Sequence, residues 1–190
     1  MRCFLGLPPD SGLVTALRQQ VELWQQAGLQ ARWVPERNWH LTLVFLGDLP
    51  SATQAPLMAL CQQISAQHPA QTLPITRAGR FPNREGRFLV AEGDAPPALA
   101  ALRAQLAEGC RQLGLAVEAR PFRPHITLAR DLAYASAPQP LTTAPASDLV
   151  TGTLHADTLI LYQSLPPSAA QPGTPVYQSV AHWPLTGDAL

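Results

Sequence analysis

The sequence predicts an α+β fold built on antiparallel β-sheet, and three observations lead to it. Only three stretches carry apolar residues at the three- and four-residue spacing of an amphipathic helix, whereas many short segments have the composition of strands. Turn-rich stretches at 82–86 and 166–175 separate pairs of such strands, as in antiparallel hairpins. The phrase His-apolar-Thr-Leu occurs twice, at 40–43 and 125–128. Strands segregated from a few helices favour antiparallel sheet over a doubly wound parallel fold.

The first half of the chain has the order strand, helix, strand, strand, helix. Pro8-Pro9 closes the first strand, and Gly28 follows the first helix, where a residue without a side chain commonly ends a helix. The predicted elements are a strand Arg2–Leu7, a helix capped by Asp10 or Ser11 and ending near Ala27, a short strand Arg32–Val34, the first tetrad strand Trp39–Leu46 and a helix Ala52–Gln67.

The second half repeats the passage from a helix into a tetrad strand. Proline 124 disfavours helix for the residue before it, so extended chain is expected to lead into the second tetrad. The predicted elements are strands Thr72–Phe81 and Arg87–Glu92 joined by the turn 82–86, a helix Ala98–Leu113, the second tetrad strand, a long surface loop 132–147, and a final hairpin of Thr158–Leu165 and Val176–Trp183. Because the tetrads lie close to half a chain length apart, we expect one domain over 1–190 with two lobes related by a pseudo-two-fold axis.

Composition narrows the function classes. Thirteen basic and 13 acidic side chains balance, so the chain lacks the charge that proteins use to hold long stretches of duplex nucleic acid. No segment has the length and hydrophobicity of a transmembrane helix, and the apolar start, stopped by Pro8-Pro9, is too short for a signal peptide. Three widely spaced cysteines indicate buried thiols rather than a disulfide frame or zinc site. We expect a cytoplasmic protein without a membrane partner.

The repeated tetrad is too improbable to be accidental. With five His and 13 Thr among 190 residues of which 46% are apolar, random order gives roughly 0.07 such tetrads. Alternate side chains of a strand share a face, so His40 and Thr42 project together while the intervening leucines point into a core. His125 and Thr127 follow the same rule. A lone strand histidine is usually structural, but its duplication favours a functional interpretation.

Two histidines facing each other across a cleft can supply acid and base together. Imidazole has an ordinary pKa near about 6.5, so one ring can take a proton from water while the other gives one to a leaving oxygen. The threonine hydroxyls beside them can donate to phosphoryl oxygens. A metal site lacks a third ligand near either tetrad, so no metal or other cofactor is expected. Cys61 and Cys110 fall on apolar helix faces and are interpreted as core.

The motifs W-H-L-T-L-V-F-L-G-D and R-P-F-R-P-H-I-T-L-A-R-D resemble those of the 2H phosphoesterase superfamily. Within it, the chain is similar to the RNA 2′,3′-cyclic phosphodiesterases, also called 2′-5′ RNA ligases. The resemblance implies two antiparallel sheets lining a central cleft, helices outside and no metal requirement. It also implies hydrolysis of RNA 2′,3′-cyclic phosphate ends to 2′-phosphates, with His40 as proton donor, His125 as proton acceptor, and Thr42 and Thr127 binding the phosphate.

Other residues are candidates for contact with the substrate. Arg130 matches an arginine of the resembling family, although strict alternation puts it on the face opposite His125 unless the strand ends or bulges first. Arg123 shares the face of His125 and is placed to line the cleft mouth. Phe45 has the alternation of the core leucines and is interpreted as core.

Three aromatic residues are candidates to stack on a base, Trp33, Trp39 and Tyr134. The expected partners are RNA 3′ ends or nucleotides carrying a 2′,3′-cyclic phosphate, and the protein is expected to be a monomer. Two alternatives remain open from the residues: a nucleotide-binding module without significant turnover, and ligation of RNA ends through a 2′-5′ bond at the same site. The natural RNA and its base preference are not specified by the sequence.

Overall fold

A computed structural model describes residues 1–81, 87–132, 152–167 and 173–188. The three predicted helices are present as α1 Ser11–Gln26, α2 Ser51–Ser65 and α3 Pro97–Gln112. The Asp10 carboxylate caps α1, accepting hydrogen bonds from the backbone N–H of Gly12 and Leu13 at 2.9 and 3.1 Å. None of the helices in these ranges is long and apolar enough to cross a membrane.

The described residues also form ten β-strands. Their bounds are β1 Arg2–Leu7, β2 Arg32–Trp33, β3 Leu41–Asp48, β4 Gln71–Ile75, β5 Arg77–Arg80, β6 Leu89–Glu92, β7 His125–Arg130, β8 Gly152–Ala156, β9 Thr158–Leu165 and β10 Val176–Pro184. A single 3₁₀ turn, Glu36–Asn38, precedes the first tetrad. His40 therefore lies immediately before β3, whereas His125 is the first residue of β7.

The strands of the described residues pair antiparallel throughout, which confirms the predicted α+β fold. The main sheet has the order β10-β9-β1-β3-β7-β6-β5, with β2 paired to β7, and β4 pairs with β8 in a small second sheet. The two halves of the main sheet meet where β3 lies beside β7, and Leu41 pairs with Ile126 at this junction. Both side chains are fully buried. The two tetrads thus lie side by side at the centre of the main sheet.

Two differences separate the predicted strands from the observed ones. The predicted strand 72–81 is divided at Thr76, with β4 in the small sheet and β5 at the edge of the main sheet. β8 was not predicted, because its few apolar residues give no clear alternation. The predicted turn 82–86, nearly all of the predicted loop 132–147 and the centre of the turn 166–175 lie outside the described residues. The hairpin pairings β5–β6 and β9–β10 are confirmed.

The core lies beneath the tetrads and the helices. Leu99, Leu102 and Leu106 of α3 are fully buried, as the three- and four-residue spacing predicts. Cys3, Cys61 and Cys110 are buried and carry free thiols. Burial raises the pKa of both Cys61 and Cys110, so neither side chain is an activated nucleophile.

Candidate active site

The structure brings the two tetrads to one cleft of about 860 Å³. His40 and Thr42 of the first tetrad line this cleft, and so do His125 and Thr127 of the second. The intervening apolar residues point away, into the core beneath the sheet. Through both tetrads the side chains therefore alternate between the cleft and the core, as the sequence predicts.

Each histidine is oriented by a backbone carbonyl two residues earlier. His40 Nδ1 lies 2.7 Å from the carbonyl oxygen of Asn38, and His125 Nδ1 lies 2.8 Å from that of Arg123. Because a carbonyl can only accept, Nδ1 carries the proton in both rings. In a neutral ring Nε2 is then the basic nitrogen, and in His40 it lies 3.0 Å from the Thr42 hydroxyl oxygen. Nε2 is thus the nitrogen at which either neutral ring can take up a proton.

Aromatic side chains enclose His40. The Phe4 ring stacks on it with ring centroids 4.5 Å apart, and the rings of Tyr177 and Tyr162 lie at 5.1 and 5.6 Å. Burial in this cage, with smaller effects of the positive charge of Arg130 and of His125, lowers the pKa of His40 to about 4. The bond to the Asn38 carbonyl opposes that shift without cancelling it. His40 is therefore neutral at physiological pH in the free protein.

His125 has a different environment, with a cation and a carboxylate beside it. The Phe81 ring lies 4.7 Å from the His125 ring, and the Arg123 guanidinium lies 5.0 Å above Phe81. Arg123 donates to Glu92 from Nε and Nη2 at 2.7 and 2.8 Å. Burial alone would raise the pKa of the Glu92 carboxyl, but the hydrogen bonds and charges of Arg123 and Arg77 hold it below its ordinary value. Arg123 lines the cleft as expected, yet its fork is bound by Glu92.

A second polar residue supports the first tetrad in a comparable way. Asn38 is 2% exposed, and its amide donates to the Pro175 carbonyl at 2.7 Å while its Oδ1 accepts from the Tyr177 N–H at 3.4 Å. The residue that orients His40 is thereby tied to β10, as the residue that orients His125 is tied to Glu92 of β6. In both tetrads, the residue two positions before the histidine is held by a neighbouring strand, through amide and backbone hydrogen bonds for Asn38 and through an ion pair for Arg123.

Both tetrads end in a β-bulge that reverses the strand alternation. Opposite β3, Leu5 pairs with Val44 and Gly6 with Thr42, so Leu43 is unpaired. Opposite β7, Leu89 pairs with Ala129 and Val90 with Thr127, which leaves Leu128 unpaired in the same way. An extra residue in one strand moves every later side chain to the other face.

The bulges bring Phe45 and Arg130 to the cleft. The core interpretation of Phe45 was wrong, since it is 40% exposed and lines the cleft with the Arg2 guanidinium 5.3 Å above its ring. Arg130 also lines the cleft, and its guanidinium lies 5.3 Å above the Phe88 ring. The bulge on which its access depended is present.

The three aromatic candidates for base stacking are not placed in the cleft. Trp33 of β2 is half-buried, packs against the core and does not line the cleft. Trp39 is 4% exposed, belongs to the hydrophobic core and donates from its indole nitrogen to the Val34 carbonyl at 3.0 Å. The structure thus corrects the expectation of a cleft contact, because the extended backbone before β3 places the Trp39 side chain on the face opposite His40. Tyr134 lies outside the described residues.

Sequence reasoning missed several residues of the site. Asn38 could have been found, because it and Arg123 are both polar and both stand two positions before a tetrad histidine. Glu92 gave no such indication, since it reaches Arg123 only through the pairing of β6 with β7. Tyr162 and Tyr177 come from the last hairpin, whose place beside β1 is a matter of sheet order. Burial raises the pKa of Tyr162 to about 12, so its hydroxyl stays protonated and the ring beside His40 is uncharged.

The cleft is positively charged although the chain is neutral. Among the described residues its charged lining consists of five arginines and one glutamate, namely Arg2, Arg103, Arg120, Arg123, Arg130 and Glu118. Within the same part of the chain no three His, Cys, Asp or Glu side chains are grouped so that they could hold a metal ion. The arrangement offers two imidazoles, two hydroxyls and fixed positive charge, which suits an anionic phosphate.

Comparisons with known proteins agree with this chemistry. Residues 10–165 match the family model described as 2′-5′ RNA ligase superfamily. An RNA 2′,3′-cyclic phosphodiesterase of Geobacillus stearothermophilus is 33% identical over 158 residues, which cover 82% of this chain but only 48% of that protein. The enzyme of the same name from Escherichia coli K12 is 31% identical over 126 residues, covering 65% of this chain and 70% of that one.

The fold comparison extends over nearly the whole chain. The crystal structure of E. coli LigT complexed with 3′-AMP superposes with a TM-score of 0.76 at 26% identity, covering 97% of this chain and 98% of that one. The resemblance of the repeated tetrads is therefore accompanied by a likeness of the complete fold.

Proposed function

Because this chain belongs to the 2′-5′ RNA ligase superfamily, we propose that it hydrolyses RNA 2′,3′-cyclic phosphate ends to 2′-phosphates. The observation that carries the proposal is the pair of carbonyl-oriented histidines, each with its threonine, on one positively charged cleft. The relatives named RNA 2′,3′-cyclic phosphodiesterase support the same substrate class. Acid–base catalysis needs no metal in this scheme.

The proposed reaction is a displacement at phosphorus. His125 Nε2 takes a proton from water as its oxygen bonds to phosphorus. The bond between phosphorus and the ribose 3′ oxygen breaks, and His40 Nε2 gives its proton to that oxygen. The products are a 2′-phosphate and a 3′ hydroxyl. Thr42, Thr127 and Arg130 stabilise the negative charge on the non-bridging oxygens.

The donor role requires His40 to gain a proton that it lacks in the free protein. An anionic phosphate beside Nε2 favours the imidazolium and raises its pKa. Once Nε2 is protonated it can no longer accept a hydrogen bond from the Thr42 hydroxyl. The hydroxyl hydrogen of Thr42 is then available to the phosphate. Substrate binding is thus coupled both to protonation of His40 and to release of the Thr42 hydroxyl hydrogen for donation to the phosphate.

The test is incubation with the four nucleoside 2′,3′-cyclic phosphates, with 2′- and 3′-phosphate products separated. We expect 2′-phosphates, and loss of at least about a hundredfold in kcat for His40→Ala and for His125→Ala, because each removes a proton-transfer group. His155→Ala is the matched control, since His155 is an exposed histidine of β8 outside the cleft. Activity is expected to survive a chelator.

Three outcomes would contradict the proposal. Full activity of either tetrad variant would remove the two-histidine mechanism. Inhibition by chelator that added metal restores would show a metal-dependent reaction. Nucleotide binding without turnover of any cyclic phosphate would identify a binding module instead of an enzyme.

A further inference from the structure

One end of the cleft is built by α3 and by the chain that leads into β7. Arg103 of α3 lines it together with Phe122 and Arg120. Phe122 precedes His125 by three residues, and three residues of extended chain span at most about 10–11 Å. This end is therefore close enough to the tetrads for one further nucleotide of an extended RNA strand to reach it.

Among the residues that the structure describes, Arg103 forms no ion pair with a carboxylate. Its guanidinium lies 5.6 Å above the Phe122 ring, which holds it in place. Its Nε–H is shielded from solvent and has no hydrogen-bond acceptor within the described residues. Burial, together with the nearby charge of Arg111, lowers the pKa of the Arg103 guanidinium. An unpaired donor on a half-buried cation favours an anion at this position.

Two other arginines of the cleft, Arg123 and Arg120, already face a carboxylate. Arg123 has its fork bound by the buried Glu92. Within the described part of the cleft lining, the acidic residue is Glu118, whose Oε2 lies 3.7 Å from Arg120 Nε in an exposed ion pair. No ion pair joins Arg103 to a carboxylate in the described part of the chain. The cleft thus holds a planar donor group suited to phosphate beyond the reacting centre.

We propose that Arg103, supported by Phe122, binds the phosphodiester on the 5′ side of the terminal nucleoside, so that the preferred substrate is an RNA strand rather than a mononucleotide. This inference deepens the proposed function and rests on it. Strand RNA is bound elsewhere in the same manner, by positive side chains on the backbone combined with aromatic rings. The tetrads would hold the cyclic phosphate while Arg103 holds the next phosphate along the strand.

The test compares adenosine 2′,3′-cyclic phosphate with the dinucleotide ApA ending in the same cyclic phosphate. We expect the wild-type protein to have a kcat/KM at least about tenfold higher for the dinucleotide, because a charge-assisted hydrogen bond to phosphate is added. Arg103→Ala should lower kcat/KM for the dinucleotide about tenfold more than for the mononucleotide. Arg111→Ala is the matched control, because Arg111 lies on the same helix and pairs with Glu108 outside the cleft.

Salt dependence provides a second measurement. The logarithm of kcat/KM for the dinucleotide should fall with the logarithm of salt concentration, and Arg103→Ala should reduce that slope by about 0.7, the contribution of one phosphate contact on a single strand. Arg103→Lys keeps the charge and much of the stem above Phe122 but lacks Nε–H. It should lose part of the dinucleotide preference, and it replaces Arg103→Ala if the alanine variant does not fold.

The outcomes separate this inference from the function on which it rests. Equal kcat/KM for the two substrates in the wild-type protein overturns the phosphate subsite while the hydrolytic function stands. Equal effects of Arg103→Ala and Arg111→Ala on the preference overturn it as well. Absence of turnover of both substrates by the wild-type protein overturns the proposed function itself.

Discussion

Acidification from pH 7 to pH 5 is predicted to destabilise the protein through His40. Unfolding returns the pKa of His40 from about 4 to its ordinary 6.5. The unfolded chain therefore binds a proton that the folded protein excludes between these values, so stability falls as pH drops through that window. The full difference corresponds to about 3 kcal/mol, of which about 2 kcal/mol is lost between pH 7 and pH 5.

Urea unfolding of the wild type and of His40→Gln at both pH values measures this contribution. We expect the wild-type protein to lose about 2 kcal/mol more than the variant between pH 7 and pH 5, because glutamine does not titrate. His155→Gln, which removes an exposed histidine, should keep the wild-type pH dependence. The free energy of the variant at pH 7 does not enter the comparison, so a general effect of the substitution on packing is separated from titration.

Proton NMR of the His40 ring supplies a direct readout. Its titration midpoint should lie near 4 in the free protein, and adenosine 2′-phosphate should raise that midpoint because an anion beside Nε2 favours the imidazolium. A midpoint near 6.5 in the free protein, or the same pH dependence of stability in wild type and His40→Gln, would refute the reasoning that the aromatic cage keeps His40 neutral.

Three further predictions concern the surroundings of the histidines. Thr42→Val and Thr127→Val should each lower kcat about 10- to 100-fold in assays with cyclic phosphate, and wild-type rates would exclude hydroxyl donation to the phosphate. Glu92→Gln should destabilise the protein by about 1–3 kcal/mol in urea unfolding, since the Arg123 fork loses its charged partner; an unchanged midpoint would contradict a structural role for the pair. Gly6→Ala should lower kcat more than it changes KM, because an added methyl would lie 2.8 Å from a carbonyl oxygen of the first tetrad; unaltered kcat would show that β3 tolerates the shift.

The sequence was sufficient for the features that depend on local periodicity. The three helices follow from apolar residues at three- and four-residue spacing, and their burial is observed in α3. The shared face of His40 with Thr42, and of His125 with Thr127, follows from the two-residue period of a strand. These periods are properties of the backbone and need no information about neighbouring elements.

The sequence predictions were wrong or incomplete where a neighbouring strand changes the alternation of side chains or supplies the pairing. The bulges at Leu43 and Leu128 arise from register with β1 and β6, so alternation along β3 or β7 alone assigns Phe45 to the core. The strand β8 has its partner in β4, a pairing between segments far apart in the chain. Pairing of that kind leaves little trace in either segment by itself.

By itself, the sequence determined the chemistry of the cleft: two histidines and two threonines in a repeated phrase, with the faces on which they project. Only the tertiary structure decided how those histidines behave, because desolvation and charge depend on what packs around a ring. Phe4, Tyr162 and Tyr177 reach His40 from three strands and keep it neutral, while Phe81 and the Arg123–Glu92 pair surround His125. Two tetrads of nearly the same sequence therefore place their histidines in different environments.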